Sequence, residues 1–190
     1  MHRSAPDPRR RRLTGAALCL ALGPVLANTG RAAPVPAEVA ATLAEPRLMG
    51  SATLRFFGLK IYQARLWTEA GFAANAFQRH TFALELQYAR ALNGPEIAER
   101  SLKEMRRENT LDAARSQAWQ TAMQAAFPDV VEGDRLTGLY RPGQATPFYF
   151  NGQLRSTVDD PSFGPAFFGI WLSPGTSEPD LRRRLLGAAS

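Results

Sequence analysis

Cysteine is all but missing from this 190-residue chain: the single one, Cys19, sits in an apolar run over residues 13–27, so nothing downstream can form a disulfide or a cysteine zinc centre. Histidine is nearly as scarce. His80 is the only one after His2, which excludes a histidine-rich metal site and leaves any Ser-His-Asp triad dependent on one residue at the start of a strand. No glycine-rich phosphate loop and no internal repeat occur, and no run after residue 32 approaches the ~20 apolar residues that span a bilayer. No metal or cofactor is therefore expected. The excess positive charge is also thinner than it looks. The formal charge is +6, but six of the 23 Lys and Arg fall in the first 31 residues beside one acid, Asp7; from Ala32 onward 17 basic residues meet 16 acidic ones. They are scattered rather than striped, so no nucleic-acid partner is expected.

What is there begins with a leader. Arg9 to Arg12 precede the apolar run, and small residues follow it, the pattern of a secretory signal over residues 1–32 with cleavage after Ala27 or Ala32. Arg10-Arg11-Arg12-Leu13 also fits a twin-arginine signal loosely, so Sec and twin-arginine routes both stay open. Leu18 stands where a lipoprotein signal wants a small residue. An exported, periplasmic protein is expected, with no stable membrane insertion after cleavage. Residues 33–49 read as a linker with a short helix over 37–43. Residues 50–188 read as one domain, large enough to hold together by its core alone.

Residues 50–68, GSATLRFFGLKIYQARLWT, read as a tight β-hairpin. With Gly58-Leu59 as a two-residue type II′ loop, the expected pairs are Phe57 with Lys60, Arg55 with Tyr62 and Thr53 with Ala64, all on one face. Leu54, Phe56, Ile61 and Trp67 would take the other. Arg55 opposite Tyr62 suits an anionic or carbonyl-bearing group, and it equally suits a solvent-facing strand pair.

Further along, Phe82, Leu84, Leu86 and Tyr88 alternate with polar or small residues, which predicts a half-buried strand over 81–88. Asn93-Gly94-Pro95 opens a helix over 96–107, and Asn109-Thr110 caps a second over 111–126. Strands are expected at 135–141, 146–150 and 153–158, the last two joined by the hairpin signal Asn151-Gly152. Asp160-Pro161 opens a further helix, and Ser177 with Asp180 resembles a capping box for a short final helix ending at Gly187. Helices come in blocks rather than alternating with strands. The expected class is α+β, a mainly antiparallel sheet with a helical layer on one face. Glu104 falls at the edge of the first helix's apolar stripe, where an ion pair with Arg100 is its default role. Tyr88 and Arg90 share a strand face near the sheet edge.

In this order, GSATLRFFGLKIYQARLW, FALELQYARALNGPEIAERSLKEM, GDRLTGLYRPGQATPFYFNGQLRS, DPSFGPAFFGIWL and PDLRRRLLG resemble the chalcone-isomerase-like family, particularly its short exported bacterial members. The resemblance implies an open-faced β-sandwich. In the plant enzymes of that family a pocket between sheet and helices holds an arginine, a strand threonine, a tyrosine shortly after a Thr-Gly pair, and an asparagine further along the helix. Here Asn93-Gly94 stands at the Thr-Gly position, Ile97 at the tyrosine, Glu104 at the asparagine and Tyr62 at the threonine. Arg55 matches the arginine. Noncatalytic relatives bind fatty acids, with the arginine and a tyrosine at the Tyr62 position holding the carboxylate.

Three functions follow as expectations. The leading one is an exported, noncatalytic binding protein for an amphipathic small molecule such as a fatty acid. Its ligand residues would be Arg55, Tyr62, Tyr88, Ile97 and Glu104, with Phe57, Leu66, Met105 and Trp119 as further apolar wall. The second is a cofactor-free isomerase of the intramolecular lyase type, using Tyr62 or Glu104 as acid or base. The third is a structural or partner-binding protein with a filled pocket.

Overall fold

Six antiparallel strands form one sheet in simple sequential order, β1 (Arg47–Phe56), β2 (Leu59–Thr68), β3 (Phe82–Tyr88), β4 (Arg135–Tyr140), β5 (Thr146–Phe150) and β6 (Gln153–Val158). The computed structural model describes residues 34–187, so the signal sequence expected over 1–32 lies outside the described residues. Asn151 and Gly152 adopt φ of 50° and 84°, the paired positive values of a type I′ turn, and join β5 to β6 as their sequence predicts.

At the β1–β2 tip the turn differs from the expectation. Phe57 and Gly58, with φ of 47° and 78°, are the two loop residues, so the turn is type I′ and starts one residue earlier. Phe56 then pairs with Leu59 and Arg55 with Lys60, while Leu54 pairs with Tyr62, leaving Ile61 as the extra residue of a bulge. The expected pairing of Arg55 with Tyr62 does not form. A one-residue slip exchanges the faces of a strand, and here it sends Tyr62 to the helix-covered face with Leu54 and Ala64.

That face carries the main core: Leu66 of β2, Leu84 and Leu86 of β3, Leu136 of β4 and Phe148 of β5 are all buried there. The alternation in β3 is as predicted, but the strand is buried on both faces rather than one. The reason is the segment expected to be a linker. Residues 34–46, with the short helix α1 (Ala37–Ala40), pack into the same compact unit as the rest of Pro34–Ser190 and bury Val39 and Leu43. Glu38 is buried too, its Oε1 accepting from Thr137 Oγ1 at 2.8 Å. Beside Thr137 in the ladder lies Glu85, 2% exposed, whose carboxylate takes Arg65 at 3.0 Å, Arg135 at 3.5 Å and the indole N–H of Trp67 at 3.1 Å. A buried carboxylate survives only with such multiple partners.

The helical layer is α2 (Gly94–Met105), α3 (Ala113–Ala126), α4 (Phe163–Leu172) and α5 (Pro179–Leu185). α3 starts two residues later than expected, capped by Asp112, which accepts from Arg115 N at 2.7 Å. α2 is placed from outside itself. Asn93 makes no capping bond; Asp129 Oδ1 accepts from Gly94 N at 2.8 Å instead. A Cβ on Gly94 would run into the carbonyls of Phe127 and Pro128, so glycine lets the helix start against the chain that leaves α3. Gly94→Ala is expected to lower unfolding free energy by about 2 kcal/mol in urea titration, and Asp129→Ala by about 1 kcal/mol.

Candidate functional site

Near the hairpin tip the sheet and the helices part, leaving a cavity of about 410 Å³. Leu54, Tyr62, Leu86 and Tyr88 form its sheet side; Ile97 and Ser101 of α2, with Ile170 and Trp171 of α4, form its helical side. The strand side chains reach it because the Ile61 bulge turns Leu54 and Tyr62 towards α4. The wall is predominantly apolar; its polar groups run along α2 from Asn93 and Glu96 to the end where Arg100 and Glu104 meet Ser177 and Glu178.

Tyr62 and Tyr88 are adjacent across β2 and β3, their rings edge to face with centroids 6.1 Å apart. Trp171 Nε1 donates to the Tyr62 hydroxyl oxygen at 3.0 Å, which leaves the Tyr62 proton available to another acceptor. Among the described residues the Tyr88 hydroxyl makes no hydrogen bond, although the residue is only 3% exposed. Burial pushes both phenols well above their ordinary value of 10.0, with Glu178 adding to the rise at Tyr62 and Arg100 opposing it. Both stay protonated at neutral pH, so each has a proton to offer a guest in the cavity.

The polar end is organised by Glu104. Its carboxylate pairs with Arg100 at 2.8 Å and Arg107 at 3.6 Å and accepts from Ser177 Oγ at 2.8 Å. The Arg100 pair is the one expected from helical spacing. Ser177, expected to cap the last helix, is drawn to Glu104 instead, and α5 begins from Glu178 without a side-chain cap. The tie holds the loop before α5 against α2, closing one wall.

Tyr62, Tyr88, Ile97 and Glu104 therefore lie on one cavity, and Arg55 does not. Arg55 is exposed, paired with Lys60, and its Nη1 donates to Gly58 O at 3.2 Å. The cation on the cavity is Arg100, whose side chain is 58% exposed at the rim. Of the further wall residues expected, Phe57 projects into solvent, while Leu66, Met105 and Trp119 are buried in the core away from the cavity lining. Leu54 and Trp171 were missed. A buried indole needs an acceptor for its N–H, and that requirement was the available signal for Trp171.

Comparison with known proteins bears on this arrangement directly. Residues 29–187 match the family described as chalcone isomerase-like. The chain belongs to that family. An uncharacterized protein of Haemophilus influenzae Rd is 29% identical over 150 residues, spanning 78% of this chain and 71% of its own. Among solved structures, the fold is similar to that of a fatty-acid binding protein of Arabidopsis thaliana, with a TM-score of 0.58 and 12% identity over 75% of this chain and 87% of that one. The α+β class, an open antiparallel sheet carrying a helical layer, is that of the family's fold.

The raised phenols set an alkaline dependence. In the unfolded chain both tyrosines ionise near 10.0, whereas in the folded protein they hold their protons to higher pH, so above pH 10 the unfolded state binds fewer protons and stability falls. Each phenol contributes a loss of up to about 1.4 kcal/mol per pH unit. Tyr88→Phe is expected to remove one such contribution from the slope measured by urea unfolding between pH 10 and 12; an unchanged slope would show that Tyr88 ionises freely.

Proposed function

We propose that the protein is an exported, noncatalytic binding protein for an amphipathic small molecule such as a fatty acid, acting in the periplasm. The observation that carries this reading is a predominantly apolar cavity with one cation, Arg100, at its rim. Its volume of about 410 Å³ lies in the range of roughly 300–1,000 Å³ typical of small-molecule sites. An acyl chain would lie along Leu86, Leu136, Phe127 and Phe167, with its carboxylate at the rim beside Arg100. Tyr62, whose proton has no acceptor in the protein among the described residues, would donate to the same head group. Arg55 has no part in this version, because the observed register places it outside the cavity. The Arabidopsis protein of similar fold is named for fatty-acid binding, which supports the same class of ligand.

The same geometry favours holding over conversion. Ile97 at the position of the plant tyrosine has no hydrogen to donate, and burial keeps the two phenols protonated at neutral pH, so neither is available as a general base. Glu104 is engaged by two arginines and a serine.

Native mass spectrometry of the purified protein is expected to recover a carboxylated lipid from the wild type and far less from Ile97→Trp, which narrows the cavity. Arg100→Ala should weaken binding of a fluorescent palmitate analogue by roughly tenfold or more, the worth of a charge-assisted hydrogen bond. Arg55→Ala should leave that affinity unchanged. Absence of both a co-purified lipid and saturable binding of the analogue would overturn the reading.

A further inference from the structure

The β1–β2 tip holds the most exposed apolar group in the described chain, and neither the core nor the cavity accounts for its Phe57 and Leu59. Phe57 is 89% exposed, Phe56 57% and Leu59 55%, and the two phenyl rings sit edge to face with centroids 4.5 Å apart. Phe57 also stands at φ 47°, a conformation that a bulky side chain adopts with strain and that asparagine adopts readily. The tip thus keeps an aromatic where the turn itself would favour a small polar residue.

Charge around the tip is of one sign. No acidic residue occurs from Pro46 to Thr68, while Arg47, Arg55, Lys60 and Arg65 all fall there. Arg47 pairs with Glu45 and Arg65 with Glu85, but Arg55 and Lys60, which flank the turn, form no salt bridge among the described residues. Exposed Arg90 follows Ala89, whose N–H bonds to Ile61 O at 2.9 Å, so a third cation belongs to the chain beside the base of the tip. The acids lining the cavity, Glu96, Glu104 and Glu178, belong to its helical side.

We propose that this tip is a docking point for an anionic lipid surface, with Phe57, Phe56 and Leu59 entering the boundary between head groups and acyl chains while Arg55 and Lys60 meet the phosphates. Aromatic side chains flanked by cations are the composition that binds such an interface reversibly. A stable protein partner fits less well, because a standard interface takes roughly 20–30 residues a side and the apolar tip offers three. The acids on the helical side make the approach tip-first rather than flat. Phe56 lines the cavity as well as the tip, so a docked protein would present the cavity to the lipid. The contact itself needs no ligand and stands apart from the cavity reading.

Vesicle co-sedimentation tests it with residues 34–190, which form a compact unit of their own and lack the apolar leader. In about 0.1 M salt the protein is expected to bind vesicles of equal phosphatidylglycerol and phosphatidylcholine, and to bind phosphatidylcholine alone at least tenfold more weakly. Phe57→Asn places Asn-Gly in the turn, the favoured type I′ pair, so its folding stability should hold or rise while vesicle binding falls about tenfold or more. Arg55→Gln and Lys60→Gln should each cost about fivefold and flatten the salt dependence. Unchanged binding by Phe57→Asn, or no preference for the anionic lipid, would overturn the proposal. So would tip-dependent self-association without vesicle binding, which would make a second copy the partner.

Discussion

A strand side chain has two faces available, and in this protein the choice is made at the β1–β2 tip. Phe57 and Gly58 close the turn one residue earlier than glycine placement alone suggests, and the bulge at Ile61 then absorbs the mismatch. Together they deliver Leu54 and Tyr62 to the space beneath α2 and α4 and leave Arg55 and Lys60 outside. Without the bulge, the ladder from Ala52–Ala64 onward would fall out of step with the tip, and the residues now lining the cavity would exchange places with those in solvent. The placing of Leu54 and Tyr62 on the cavity, and of Arg55 outside it, follows from that single irregularity.

The two faces of the sheet then carry different chemistry. The helical face is apolar apart from the two phenols and the Glu104 cluster, and it is the face that parts to form a cavity. The opposite face carries a polar row in which buried Glu85 and Thr137 are flanked by the partly exposed Arg65 and Arg135, with Glu38 of α1 reaching Thr137. Such a row does little for net stability, because desolvating the ions offsets their attraction, but it is intolerant of rearrangement. It fixes the lateral alignment of β2, β3 and β4, the strands from which Tyr62 and Tyr88 project.

Much of the fold was legible because its signals are local. The alternation of β3, the Asn151-Gly152 turn and the apolar stripes of α2 and α4 state their structure within a few residues. Tyr62, Tyr88, Ile97 and Glu104 could be brought to one region from family resemblance together with sheet logic. What escaped depends on distant partners or on strain. Phenylalanine at positive φ runs against its own preference, so the turn was misplaced and Arg55 with it. Residues 34–46 look like a linker by composition, yet Val39 and Leu43 are buried and Glu38 meets Thr137, a pairing no local pattern announces. Ser177 satisfies a capping pattern but finds Glu104, and Gly94 takes its cap from Asp129. Arg100 was read as a solvated ion-pair partner, which it is, and helical spacing alone could not say that a cavity opens beside it.

The first strand and the last helix touch closely. Gly50 of β1 sits so near the backbone of α5 that a methyl group there would strike the carbonyls of Arg184 and Leu185. Leu181 lines the cavity from the same helix. One wall of the site is thus supplied by the final residues of the domain and anchored to nearly its first, a contact of very high sequence separation that closes late in folding. During synthesis the sheet can assemble strand by strand, but the cavity lacks this wall until α5 has emerged. A piece of the domain ending before α5 would leave the cavity open on that side.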